Sequence, residues 1–341
     1  MKSITFTFLV FLVSFAGCNT NPGRTKEEKI EYVIQQAVEA HDFVGSVLVA
    51  DQGKVIYKKA FGKADYERDI PNTDSTRYLI ASLSKPLTAI LILKLVEQGK
   101  LRFEDPVNKF FEMGDRPAGY VTIHQLLTHT SGIQEFISKE EDQPLEAMIK
   151  NMQLQSAPGA EFSYLNSGYV LLKAIAETVT GRSYKEMIGT FIVEPAGMQL
   201  SGVADSPEMP GLAKGYEDAT QARVEEIDYP LKNVEGAGSL YATVEDLYRL
   251  DRILYTDSIL STAMREQMLM QHVREKFSYG WYVRERSGLW DVYWHKGNLP
   301  GFTSFISRRI KKDQLIVLLS NAGNLGLDDL ENDIARILKT E

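Results

Sequence analysis

Ser82-Leu83-Ser84-Lys85-Pro86-Leu87-Thr88-Ala89-Ile90-Leu91-Ile92-Leu93-Lys94-Leu95-Val96-Glu97-Gln98 is the stretch on which the fold turns. Leu87, Ile90, Leu91, Leu93, Leu95 and Val96 leave little polar face. The spacing therefore predicts a buried central helix over 84–98, stopped by Gly99. Pro86 fits only a first turn, because an interior proline costs about 3 kcal/mol, so the helix must begin near Ser82. Ser82 and Lys85, at i and i+3, then share one face at the helix start. A serine hydroxyl is a weak nucleophile until a base takes its proton. An amine desolvated by burial falls below its ordinary value of ~10.4 and becomes such a base. Backbone N–H groups at the helix start favour negative charge developing nearby. Alone, the tetrapeptide fits equally a serine cap beside a solvated lysine.

Outward from this helix the pattern alternates. Ile30, Val33, Ile34 and Val38 predict an amphipathic helix over 27–41. Residues 44–50 and 54–61 read as strands joined at Asp51-Gln52-Gly53. From 105 to 235 short helices and turns dominate. Thr122-Ile123-His124-Gln125 and Ser183-Tyr184-Lys185-Glu186 are capping boxes, and 167–180 is an apolar helix ended by Gly181. A helix over 243–254 follows, then strands at 279–285, 289–295, 303–310 and 314–320, and a closing helix at 327–338. The expected fold is α/β in the α+β sense. A mostly antiparallel sheet flanked by helices is formed by 27–104 and 236–341, with an all-helical lobe inserted at 105–235. The cleft between them is the place for chemistry.

Composition narrows the function. Of 341 residues, 38 are Lys or Arg and 46 Asp or Glu, a net charge of -8. With no long basic run, a nucleic-acid surface is excluded. One cysteine excludes intrachain disulfides and polythiolate zinc sites. His124 and His129 are offset by about 140° on a helix and suit lobe structure better than a metal, so no metal and no organic cofactor are expected. The G-x-S-x-G elbow and the phosphate-binding glycine loops are absent from the sequence.

Two further motifs carry polar chemistry. Tyr164-Leu165-Asn166 precedes the 167–180 helix, and a nearby Lys85 ammonium would depress the phenol below its usual ~10. His295-Lys296-Gly297-Asn298 ends a strand, where Gly297 admits a close backbone approach. Strand alternation turns Lys296 away from the face that carries His295.

Order and spacing bring these together. Ser-x-x-Lys opening a buried helix, Tyr-x-Asn about 80 residues later and His-x-Gly on a C-terminal strand resemble the serine β-lactamase and penicillin-binding-protein superfamily, in its class C β-lactamase, D,D-carboxypeptidase and esterase branch. Further stretches are similar: Tyr78-Leu79-Ile80-Ala81, Leu126-Leu127-Thr128-His129-Thr130-Ser131-Gly132, Glu194-Pro195-Ala196-Gly197-Met198 and Ala237-Gly238-Ser239-Leu240. The resemblance spans residues 28–340 and implies a β-lactamase/transpeptidase-like fold. It implies Ser82 as acylated nucleophile and Lys85 with Tyr164 as the proton-transfer system, either of them the base. It implies Asn166 as an orienting group, His295 and Gly297 on the substrate strand, and an oxyanion hole from the N–H groups of Ser82 and Asn298. His295 stands where many relatives have lysine, and Lys296 where they have a hydroxyl residue. The implied activity is hydrolysis of an ester or amide, D-amino-acid peptides and cell-wall fragments included. Efficient penicillin hydrolysis is not expected. The alternatives are a class C-like β-lactamase and a catalytically retired cell-wall or peptide-binding protein.

The N-terminus reads as an address. Met1-Lys2 and an apolar run from Ile4 to Ala16, too short to span ~30 Å of bilayer, predict a signal peptide over 1–17. Ala16-Gly17-Cys18 resembles a bacterial lipobox. It implies lipid attachment at Cys18, a tether over 18–26 and a lipoprotein of the cell envelope facing the periplasm or cell surface.

Overall fold

The computed structural model describes residues 23–137, 144–227, 229–286 and 289–340. The leader and Cys18 lie outside the described residues. Among the described residues the first helix is α1 (Lys26–Glu39), with a capping box at Thr25 and Glu28. Strands β1 (Gly45–Asp51) and β2 (Lys54–Phe61) form the expected hairpin. Short strands follow: β3 (Lys63–Asp65), β4 (Ile70–Pro71) and β5 (Tyr78–Leu79). A 3-10 turn at Ala81–Leu83 leads into α2 (Ser84–Glu97). Pro86 lies in the first turn of α2, where its missing N–H is not needed.

Between 105 and 235 the chain forms α3 (Ile123–Leu127), α4 (Leu145–Lys150), α5 (Asn166–Thr180) and α6 (Tyr184–Ile188). Both sequence-read capping boxes are present. The segment is not purely helical: β6 (Gly202–Val203) pairs with β7 (Leu240–Ala242), which also pairs with β5. Two-residue strands carry no readable period, so the sequence gives no sign of them. Next come α7 (Val244–Ile253), α8 (Thr262–Leu269), β8 (Tyr282–Arg286), β9 (Leu289–Leu299), β10 (Phe302–Arg309), β11 (Gln314–Ser320) and α9 (Leu327–Lys339).

The main sheet has the order β2-β1-β11-β10-β9-β8, with antiparallel neighbours throughout. One face is covered by α1 and α9, where Ile30, Ile34, Ile334 and Leu338 pack on Val47, Phe305 and Leu318. The other face packs on α2: Leu48, Ile306 and Val317 share a cluster with Leu87, Ile90 and Leu91. Layers on both faces explain why β10 and β11 are buried along their whole length. β8 pairs with β9 only as far as Trp294. From His295 to Leu299, β9 pairs with β10 on one side, and among the described residues no strand lies on the other. That open edge borders the cleft.

Candidate active site

The turn carrying Ser82 is tied down from three directions. Ile80 N–H donates to Leu240 O at 2.9 Å, Leu240 N–H donates to Ser84 Oγ at 3.1 Å, and Ser304 Oγ–H donates to Ile80 O at 2.8 Å. Ala81, just before the serine, sits at φ +51, a left-handed conformation costing a side-chain-bearing residue about 1–2 kcal/mol. The surrounding bonds hold it there. Gly297 presses β9 against the same turn. A Cβ at 297 would stand 2.4 Å from Ile80 O and 2.9 Å from Ala81 Cβ, so only glycine allows β9 to approach this turn so closely.

Lys85 is fully buried. Its Nζ lies 3.0 Å from Ser82 Oγ, 2.7 Å from Asn166 Oδ1 and 2.9 Å from Ala237 O. Burial pushes Lys85 down to about 7, against an opposing pull from Glu135. As a neutral amine, Nζ donates its two protons to Asn166 and Ala237 and turns its lone pair to the Ser82 hydroxyl. Asn166, at the start of α5, is itself fixed: its N–H donates to Glu135 Oε2 at 2.9 Å, and Ser167 N–H donates to Glu135 Oε1 at 2.9 Å.

Tyr164 lines the same cleft as Ser82. Its ring lies 4.8 Å from Lys85 Nζ. The expected depression of the phenol is reversed. Burial pushes Tyr164 well above its ordinary value and outweighs the opposing effect of the Ser82 side chain. Tyr164 therefore stays protonated at neutral pH.

His295 is buried, and its Nδ1–H donates to Lys296 O at 2.8 Å. That bond leaves the Nε2 lone pair as the free end of the ring, without a partner among the described residues. Burial and the nearby Lys85 lower His295 to about 3, so it is neutral at pH 7. Lys296 takes the opposite face of the strand, as alternation requires, and pairs with Asp328 at 3.3 Å. Because β9 is an open edge there, the Lys296 side chain still reaches the rim of the cleft.

The cleft has a volume of about 490 Å³ and runs from Ser82 and Tyr164 past Tyr282 and Trp294 to Asp328. A larger cavity of about 750 Å³ lies beside β3 and β4, lined by residues 207–214 and the Asp65–Arg68 pair. It contains none of the sequence-read site residues. Ser82, Lys85, Tyr164, Asn166, His295, Gly297 and Asn298 are all gathered around the smaller cleft. Sequence reasoning passed over Glu135, one acid in a loop, and the aromatic wall of Tyr282 and Trp294. It also placed His129 with the lobe's structure, whereas its ring lies 4.4 Å from that of Tyr164.

Residues 30–340 match the family described as Beta-lactamase. The chain belongs to the Beta-lactamase family. This Beta-lactamase-family chain is 30% identical over 328 residues to penicillin-binding protein 4* of Bacillus subtilis (strain 168), an alignment covering 87% of this chain and 72% of the relative. It is 28% identical over 267 residues to the teichoic acid D-alanine hydrolase of Staphylococcus aureus (strain NCTC 8325 / PS 47), covering 76% and 66%. The crystal structure of a penicillin-binding protein from Bacillus halodurans superposes with a TM-score of 0.80 at 26% identity, covering 90% of this chain and 98% of that one. The antiparallel sheet and its helices thus form a β-lactamase/penicillin-binding-protein fold.

Proposed function

We propose that this chain is a serine hydrolase that cleaves an ester or amide through an acyl-Ser82 intermediate, with D-alanyl esters and amides as the favoured substrates. The observation that carries this reading is the Lys85 amine, buried, brought down to about 7 and 3.0 Å from Ser82 Oγ. Lys85 takes the hydroxyl proton as Oγ bonds to the carbonyl carbon, and the carbonyl electron pair moves onto oxygen. Backbone N–H groups of Ser82 and Asn298 receive that oxyanion, and losing one such donor typically costs about 2.7–4 kcal/mol. The tetrahedral species collapses as the leaving group departs with a proton passed from Lys85 through the Tyr164 phenol. Water, deprotonated by the same groups, then releases the acid and restores Ser82.

The D-alanyl preference draws on the teichoic acid D-alanine hydrolase relative. A neutral His295 offers an acceptor rather than a cation, which supports slow turnover of carboxylate-bearing β-lactams. Cys18 is proposed as the lipid attachment site that places the enzyme on the cell envelope, on the strength of Ala16-Gly17-Cys18 after the apolar run; Cys18→Ala is expected to release it from membranes.

The test is a fluorophosphonate probe followed by intact mass. One adduct on wild type and none on Ser82→Ala supports the hydrolase; no adduct on either favours a binding protein without turnover. A panel of p-nitrophenyl esters, D-alanyl-D-alanine peptides, D-amino-acid amides and a chromogenic cephalosporin then ranks substrates. Fastest turnover of the cephalosporin would reject the substrate class proposed.

A further inference from the structure

The Leu126-Leu127-Thr128-His129-Thr130-Ser131-Gly132 stretch has no part in the chemistry above, yet His129 reaches the catalytic cluster. His129 sits in the left-handed region, at φ +57, just past the end of α3. In that conformation both its backbone and its ring meet one segment. Its carbonyl accepts from Ser163 N–H at 2.8 Å, and its Nδ1 accepts from Leu165 N–H at 3.1 Å. One residue therefore grips the chain immediately before and immediately after Tyr164.

The imidazole also lies against the phenol ring, with centroids 4.4 Å apart and planes tilted by 31°. Tyr169 at 5.1 Å and Phe277 at 5.0 Å pack around the same imidazole. Because Nδ1 accepts, the proton of the neutral ring is on Nε2, which has no hydrogen-bond partner among the described residues. Burial, with Lys85 and His295 nearby, keeps the ring uncharged. Its only basic nitrogen is engaged by the Leu165 N–H, so His129 has no lone pair to offer Ser82. What remains for it is placement.

We propose that His129 is a positioning residue: by holding Ser163 and Leu165 and backing the Tyr164 ring, it sets the phenol against Ser82. This rests on the reading that Tyr164 takes part in acyl transfer. The geometry gives the effect a scale, since a misplacement of about 1 Å at a catalytic group can cost about 10²-fold in rate.

The experiment is a double-mutant cycle on p-nitrophenyl acetate turnover, with thermal melts of each protein. His129→Phe keeps the ring and loses the acceptor. It is expected to lower kcat about 10²-fold with KM little changed. In a Tyr164→Phe background the same substitution is expected to cost nothing further, because the group it positions is gone. His129→Asn keeps an acceptor, tolerates positive φ and is expected to recover part of kcat. If His129→Phe does not fold, His129→Asn replaces it in the cycle and is expected to show the same loss of effect beside Tyr164→Phe. Equal fold-losses in both backgrounds, or unchanged kcat in the single variant, overturn the His129 assignment. Wild-type kcat in Tyr164→Phe overturns instead the role given to Tyr164 itself.

Discussion

Lys85→Met separates catalysis from stability in a way that only a neutral buried amine allows. The native state holds Lys85 at about 7, from an ordinary 10.5, chiefly because burial penalises the ammonium. Below pH 7 both native and unfolded chains carry that proton, and folding bears the whole desolvation penalty. Between pH 7 and 10.5 the unfolded chain still binds a proton that the native one has released. Stability therefore rises with pH across this window. A shift of this size gives a gain of about 3–4 kcal/mol from pH 7 to pH 10 at this one residue. Methionine removes the titration and leaves Asn166 Oδ1 and Ala237 O without that donor, a cost that does not change with pH. Titration common to both proteins cancels in the difference. Urea unfolding of wild type and Lys85→Met at matched pH values is the assay. The wild-type advantage is expected to grow by about 3–4 kcal/mol between pH 7 and 10. The kcat/KM of wild type is expected to climb through an ascending limb near pH 7, with no descending limb below about pH 10, since the Tyr164 phenol is pushed upward. A stability difference that is flat with pH would refute the buried-amine reasoning, whatever the activity of the variant.

Glu135→Gln leaves one acceptor oxygen in place of two for the N–H groups at the start of α5 and removes the charge that holds Lys85 up; the ascending limb is expected to move to lower pH in a rate profile, and an unmoved limb refutes that electrostatic link. Gly297→Ala is expected to lower kcat at least about 10²-fold, and Tm with it, because its methyl meets Ile80 O and the neighbouring Ala81; retained kcat would show that β9 can withdraw without harm. Asp251→Ala strands the buried Arg308 guanidinium, whose Nε lies 2.5 Å from Asp251 Oδ1, and is expected to cost about 3–5 kcal/mol in urea unfolding; a loss below about 1 kcal/mol would place that pair in effective contact with water.

Long periodic elements were legible in the sequence. The all-round apolar run after Lys85 and the amphipathic 27–41 and 327–338 patterns come out as α2, α1 and α9, with ends shifted by a residue or two. The motif residues were legible because each combines an unusual polar group with a structural constraint such as Pro86 or Gly297. Less was legible where partners are remote. Ala237 O contacts Lys85 from far along the chain, and nothing local marks a backbone carbonyl as a ligand for an amine. β9 runs to Leu299 rather than stopping at His295 because β10 supplies its ladder, a tertiary cause. The direction of the Tyr164 shift also depends on how dry the site is, which residue spacing does not encode.

The uncovered stretch of β9 from His295 to Leu299 bears on selectivity. A ligand that docks there as an added strand is read by main-chain donors and acceptors before any side chain is consulted. Such reading takes an elongated backbone of any composition and rejects a coiled one. Ser82 and Trp294 both line the cleft beside that edge, so a ligand added there would meet a hydroxyl and an indole as well as main-chain groups.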